Sequence, residues 1–187
     1  MTTSARPSSH VLVVAATERE LAPVEGARTL LCGVGPVEAA MATARALAEE
    51  RPSAVLHVGI AGARGFDPLT LVLGSEAVYC DAAGPLVPAL ALPDADLLAR
   101  LHQAFPEAVL RPIGTSARVG GSQEIDVEAM EGFAVLRACE LAGVPAVEVR
   151  VVSNEIGEPD RALWRFDDAF ALLAETLPRL VAVASGR

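Results

Sequence analysis

The chain has 187 residues, enough for one domain with a substantial core and too few for two. Hydrophobic residues make up 52% and charged residues 21%, which excludes an intrinsically disordered chain. The net charge of -9 leaves no whole-protein basic footprint, so the expected partner is a small molecule and not nucleic acid.

Residues 1–9 read as a flexible N-terminal tail, and 10–187 as a single domain. His10 to Ala16 is a short, continuous apolar run, as in a strand buried on both faces. Residues 27–35 read as a second strand ending in glycines. A helix over 36–50 follows, opened by Pro36. Residues 53–63 form another buried strand that runs into a Gly-rich turn. Residues 69–81 give one or two strands, 82–93 a loop, 93–105 a helix and 108–120 a strand. The stretch 126–143 has the pattern of an amphipathic helix closed by Gly143. A strand over 144–156, a turn over 157–161 and a long helix over 164–184 complete the chain. In that last helix Phe166, Phe170, Leu173, Leu177, Val181 and Ala184 share one stripe. Strands alternate with helices throughout, which indicates an α/β layered domain with its ligand at the C-terminal ends of the strands.

Several chemistries drop out on residue counts. The three cysteines (Cys32, Cys80 and Cys139) are widely spaced and odd in number, so neither a disulfide framework nor a paired metal motif is expected. Reduced structural thiols fit a cytoplasmic protein. All 15 basic residues are arginine, which excludes a lysine Schiff base or a P-loop lysine. No metal or cofactor is expected. No segment is apolar for long enough to span a membrane, so no membrane partner is expected.

The residues just past the strands are the ones to examine. CGVGPVE (32–38) is a glycine turn opening a helix. Glu38 stands where a dinucleotide fingerprint needs its third glycine, and its charge would repel a pyrophosphate. Glu18 and Glu20 follow the first strand, either as carboxylates at a helix N-terminus or as working groups. Glu131 lies in an apolar stretch and needs a partner, either an internal arginine such as Arg150 or a polar ligand. Gly132, read as mid-helix, costs about 0.5–1 kcal/mol relative to alanine, so something packs close to the backbone there. Asn154 ends an apolar strand and is the chain's single asparagine, although many turns could have used one.

AATEREL (15–21), CGVGPVEAA (32–40), VGIAGA (58–63), DVEAMEGFAV (126–135) and VPAVEVRVVSN (144–154), in that order, resemble the purine nucleosidase and nucleoside phosphorylase superfamily. SNEIGEPDRALWRFDDAF (153–170) is similar to the C-terminal signature of one branch, the futalosine hydrolases of the alternative menaquinone pathway. The segment from Thr115 to Asp126 is shorter than in typical members. The resemblance implies a three-layer α/β/α sandwich around a mixed, mostly parallel sheet. It also implies a cytoplasmic hydrolase acting on a purine nucleoside as a homodimer or higher homo-oligomer. By position, Glu20 matches the base that activates water. Glu131 matches the acceptor of the ribose hydroxyls, with Met130 on the sugar. Ile60, Gly62 and Phe133 are the remaining expected substrate-binding residues.

Asn154 stands where adenine-specific relatives carry an aspartate. A 6-oxopurine presents acceptors at O6 and N7, which an amide NH2 can meet and an ionised carboxylate cannot. Hypoxanthine is therefore the expected leaving base. Phosphorylases of the superfamily carry a basic residue and a hydroxyl around the GxxG turn. Here His57 and Ile60 stand in those places, which favours water over phosphate as nucleophile. His57 otherwise reads as a satisfied core histidine. Futalosine bears a carboxyphenyl group beyond the ribose, for which Arg19, Arg118 and Arg161 are candidates. Phe133, Tyr79 and Trp164 are candidates for ring stacking.

Overall fold

The computed structural model describes residues 10–22, 25–82, 84–122 and 124–186. The tail expected over 1–9 lies outside these residues. Eight strands, β1 (Val11–Ala15), β2 (Ala27–Leu31), β3 (Ala54–Ala63), β4 (Leu71–Tyr79), β5 (Leu90–Ala91), β6 (Val109–Thr115), β7 (Val127–Ala129) and β8 (Ala146–Glu155), form one sheet. The helices are α1 (Pro36–Glu49), α2 (Ala95–Ala104), α3 (Gly132–Ala142) and α4 (Phe166–Ala184). No helix among the described residues is long and apolar enough to cross a membrane.

The pairings β1–β2, β1–β3, β3–β8, β4–β6 and β6–β7 are parallel, and β3–β7, β4–β5 and β4–β8 are antiparallel. The sheet is thus mixed and mostly parallel, as expected, and it also closes. The pairs β3–β8, β8–β4, β4–β6, β6–β7 and β7–β3 make a ring of five strands. Small and branched side chains from all five (Ala61, Ala63, Val72, Ile113, Val127 and Val152) fill its interior.

Two larger cores flank the sheet. Val11, Val13 and Ala15 of β1 pack with Leu173 and Leu177 of α4, while Leu12 and Val14 pack with Ala39 of α1 and Leu136 of α3. This alternation is why the β1 segment is apolar at every position. α2 joins α4 on the first side through Leu97 and Leu101.

The segment 126–143 differs from the single helix expected. Val127–Ala129 is a strand, Met130 and Glu131 turn the chain, and α3 starts at Gly132. Val127 and Ala129 point into the ring and Glu128 points to a loop, which is strand alternation. Gly132 therefore opens its helix, and the mid-helix penalty does not apply. Its close neighbour is real, however: a methyl group on Gly132 would stand 2.0 Å from Oε2 of Glu148. Within the expected loop 82–93, Leu90–Ala91 forms a short strand on β4.

Candidate active site

The C-terminal ends of β1, β2, β3 and β8 converge on a cleft of about 480 Å3, which is closed on one side by the start of α4. That volume lies within the range of small-molecule sites.

Glu20 closes a single 3-10 turn (Glu18–Glu20) after β1 and is buried, whereas Glu18 is exposed. Its Oε2 accepts from the Thr17 amide at 2.9 Å and from Thr17 Oγ1 at 2.8 Å. Its Oε1 accepts from the Ile60 amide at 3.2 Å. A carboxylate has about four acceptor positions, so three are filled and one remains, on Oε1.

Glu131 sits at the N-terminal boundary of α3, with its carboxylate buried. Oε1 accepts from the Gly35 amide at 3.0 Å, and Oε2 lies 3.5 Å from Nη2 of Arg150. Two acceptor positions remain. The glycine turn after β2 thus delivers a backbone N–H to a carboxylate, and Gly35 takes a positive φ of 96° to do so. Burial raises the Glu131 pKa, and the Arg150 charge and the Gly35 N–H oppose that rise.

Arg150 is buried in the middle of β8 yet reaches the cleft. Its Nε donates to Glu148 Oε1 at 2.8 Å, and Nη2 meets Nε2 of His57. A methyl at Gly59 would stand 2.3 Å from Arg150 Nη1 and 2.5 Å from Glu20 Oε1. Gly59 has no positive φ; its missing side chain is the space that brings these two groups together.

Asn154 follows a bulge in β8. The register shifts between Ala61 and Gly62, so Ser153 is the extra residue opposite β3. Asn154 Nδ2 donates to the Glu155 carbonyl at 3.0 Å, and Oδ1 accepts from Ser153 Oγ at 2.8 Å. The carbonyl can only accept, which fixes the amide's orientation. One N–H is left for the cleft. Gly62 gives this side chain room, since a methyl there would stand 3.2 Å from Nδ2.

Glu20, Asn154, Met130, Glu131, Ile60 and Gly62 therefore line one cleft. Phe133 does not line it. Its ring stacks on Tyr79, with centroids 5.1 Å apart, and its amide donates to Thr115 Oγ1. Trp164 lies just before α4 as a wall of the cleft, together with Phe166 and Phe170, the first two members of the expected core stripe. Of the three arginine candidates, Arg161 lines the cleft and lies over the Trp164 ring. Arg19 is instead paired with Asp167 over Phe170, and Arg118 is exposed away from the cleft.

Sequence reading passed over Arg150 as a cleft residue, and Glu128 altogether. Even spacing from Asn154 was no signal for Arg150, because the bulge at Ser153 shifts the alternation between the two. Among the described residues no cluster of His, Cys, Asp or Glu is arranged to hold a metal ion. The thiols are all free, with Cys32 and Cys139 buried and Cys80 half-buried.

The profile of the phosphorylase superfamily matches residues 26–120 and 114–184. The chain is 35% identical to the futalosine hydrolase of Streptomyces coelicolor over 191 residues, covering 85% of this chain and 80% of the relative. It is 33% identical to the futalosine hydrolase of Thermus thermophilus, covering 82% and 80%. Among solved structures, the adenine complex of a 5'-methylthioadenosine/S-adenosylhomocysteine nucleosidase from Colwellia psychrerythraea superposes with a TM-score of 0.79. It shares 21% identity and is matched over 95% of this chain and 94% of that one. The Helicobacter pylori nucleosidase superposes with a TM-score of 0.80 at 16% identity, over 92% and 97%. The chain belongs to the phosphorylase superfamily and, within it, to the futalosine hydrolase family.

Proposed function

We propose that the protein hydrolyses the N-glycosidic bond of futalosine, releasing hypoxanthine and dehypoxanthine futalosine in the alternative menaquinone route. The observation that carries this reading is the convergence, in one cleft, of the buried carboxylates of Glu20 and Glu131, from the turn after β1 and the start of α3, with the Arg150 guanidinium and the Asn154 amide of β8. Cleavage passes through an oxocarbenium-like state, which needs a base for water, negative charge near the sugar and a donor for the departing base. Glu20 is the base. Its one remaining acceptor position lies on the oxygen beside Arg150 Nη1, so water held there meets one acceptor and one donor. Glu131 uses its two free acceptor positions for the ribose hydroxyls, and Met130 packs on the sugar. Asn154 donates a hydrogen bond from its free N–H to the departing 6-oxopurine, and the base takes its proton from water, since the amide has none to give.

The preference for water over phosphate has electrostatic support. The Ile60 amide, in the Gly59–Gly62 stretch that β3 keeps extended, is occupied by Glu20, and His57 lies fully buried behind Arg150. An anion entering there would meet a carboxylate where it needs donors. The aromatic wall of Trp164, Phe166 and Phe170, with Arg161 at its edge, suits the carboxyphenyl end of the substrate. A homodimer remains part of the reading, supported by the exposed apolar residues Val34, Val37 and Met41 on and just before α1.

The test is incubation with futalosine and inosine side by side in phosphate-free buffer, scoring released base and sugar. Futalosine should release hypoxanthine and the free sugar. Glu20→Gln should abolish turnover and leave hypoxanthine binding measurable. Dependence on added phosphate, or full activity of Glu20→Gln, would overturn the reading.

A further inference from the structure

Behind the cleft lies a layer of charge that the proposed reaction does not touch. Glu148 is fully buried, with Oε1 on Arg150 Nε and no hydrogen-bond partner for Oε2. His57 is fully buried as well, with Nδ1 3.1 Å from the Val14 carbonyl. That carbonyl only accepts, so Nδ1 carries the proton and Nε2 offers a lone pair to Arg150. Neither residue lines the cleft, whereas Arg150 does.

Strand register builds this arrangement. His57 pairs with Glu148, and Gly59 with Arg150, across the parallel β3–β8 ladder. Alternation then sets all four on one face of the sheet. Gly59 leaves the front open, so the guanidinium lies across β3 towards Glu20. Gly132 leaves the rear open for the Glu148 carboxylate.

The guanidinium has five N–H groups. Glu148 takes the one on Nε. On Nη2, His57 meets one and Glu131 faces the other. The pair on Nη1 stays on the side of Gly59 and Glu20. We infer that Glu148, assisted by His57, is a positioning residue: it fixes the plane of Arg150 so that Nη1 is the edge offered to the cleft, and its charge keeps Arg150 from collapsing onto Glu20. This rests on the hydrolytic reading above.

The ionisable groups facing Arg150 are Glu148 from β8, His57 from β3, Glu20 from the turn after β1, Glu131 from the start of α3 and the Cys32 thiol after β2. Without the Glu148 charge, the positive charge of Arg150 is shared by fewer carboxylates. Glu131, relieved of the Glu148 charge, then stays ionised to lower pH.

The experiment compares wild type with Glu148→Gln, which keeps the shape and removes the charge. Its readouts are kcat and KM for futalosine across the acid limb, and the affinity for free hypoxanthine. In Glu148→Gln, kcat should fall about 100-fold, as for a misplaced catalytic group. KM should move by less than about threefold, and hypoxanthine affinity should hold, since Asn154 is untouched. The acid limb of kcat/KM should shift down by about one unit. A folded Glu148→Gln protein with wild-type kcat, or with a lowered kcat on an unmoved acid limb, overturns the inference. If that variant does not fold, Gly132→Ala decides, because its methyl displaces the carboxylate while the charge remains. There kcat should drop by a similar factor, and a wild-type kcat refutes the positioning role. Wild type that releases no base from any purine nucleoside sinks the hydrolytic reading and this inference with it, whereas active wild type beside a folded Glu148→Gln protein of wild-type kcat sinks the inference alone.

Discussion

At Asn154 the geometry narrows what the amide has to offer. Nδ2 has two hydrogens and a 6-oxopurine edge has two acceptors, but one hydrogen is bound to the Glu155 carbonyl. One N–H is therefore left for the proposed base. Selectivity then rests on that single contact falling at position 6: a donor suits O6 of hypoxanthine and is misplaced against an amino group, whereas N7 accepts in both kinds of base. Asn154→Asp reverses the sign. An ionised carboxylate would face both the Glu155 carbonyl and the base acceptors, so it must take up a proton or turn to accept from an amino group. We expect the ratio of kcat/KM for 6-oxo over 6-amino purine nucleosides to fall about tenfold or more, measured as released hypoxanthine against adenine. An unchanged ratio would remove Asn154 from base selection. The place of this asparagine at the end of an apolar strand was legible in the sequence, and the structure sets it in the cleft. The spent hydrogen was not legible, because it depends on a bulge at Ser153 that only pairing with β3 creates. Arg150 escaped for a related reason. A buried arginine in a strand reads as internal pairing, and its second role appears only once Gly59 is placed opposite it.

The segment joining β6 to α3 shows where element-level reading failed. Val127, Met130 and Ala134 fit helical spacing, while Val127 and Ala129 equally fit a strand. Periodicity over so few residues does not choose between them. Tertiary pairing chooses, with β7 laid between β3 and β6. The same pairing turns Glu128 towards the preceding loop, where its carboxylate accepts from the Gly120 amide and from the amide and hydroxyl of Ser122, the latter two at 2.7 Å each. Asp81 holds the other end of that loop through Ser116 Oγ and the Ala117 amide. Val119, between the two clamps, lines the cleft. The short 115–126 segment is thus anchored by carboxylates at both ends. Glu128→Ala should leave three donors without their acceptor and cost about 1–3 kcal/mol of stability, read from urea unfolding. Because the loop borders the cleft and no proposed catalytic group is removed, KM should rise by about tenfold and kcat should fall by less. A variant with wild-type KM would show that the loop does not shape the bound substrate.

The α/β class and the mostly parallel sheet follow from the alternation of strands and helices. Ring closure could not be read that way, because it depends on β8 pairing with both β3 and β4, far apart in sequence. Closure matters to function because it sinks Glu148, Arg150 and His57 into the protein with little solvent, and the whole molecule then answers to pH through them. Burial, followed by the Arg150 charge, holds the His57 pKa well below 6.5, so the folded protein keeps this ring neutral. In the unfolded chain it titrates near its ordinary value of about 6.5. As pH falls below that value, the unfolded state gains a proton that the folded state refuses, and stability drops by up to about 1.4 kcal/mol per pH unit. Glu131 and Glu148 act with the opposite sign. Burial raises their pKa values, so between the ordinary carboxylate range and those raised values the folded state binds the proton first, and acidification in that window favours folding. His57→Gln separates the two effects. A glutamine can donate to the Val14 carbonyl and accept from Arg150, as the neutral ring does, but it cannot be protonated. Urea unfolding at about pH 7 and about pH 5 should show the variant losing less stability on acidification than wild type, by about 1 kcal/mol or more. Parallel pH dependences in the two proteins would mean that His57 is protonated in the fold, and with it the lone pair assigned to Arg150 would be gone.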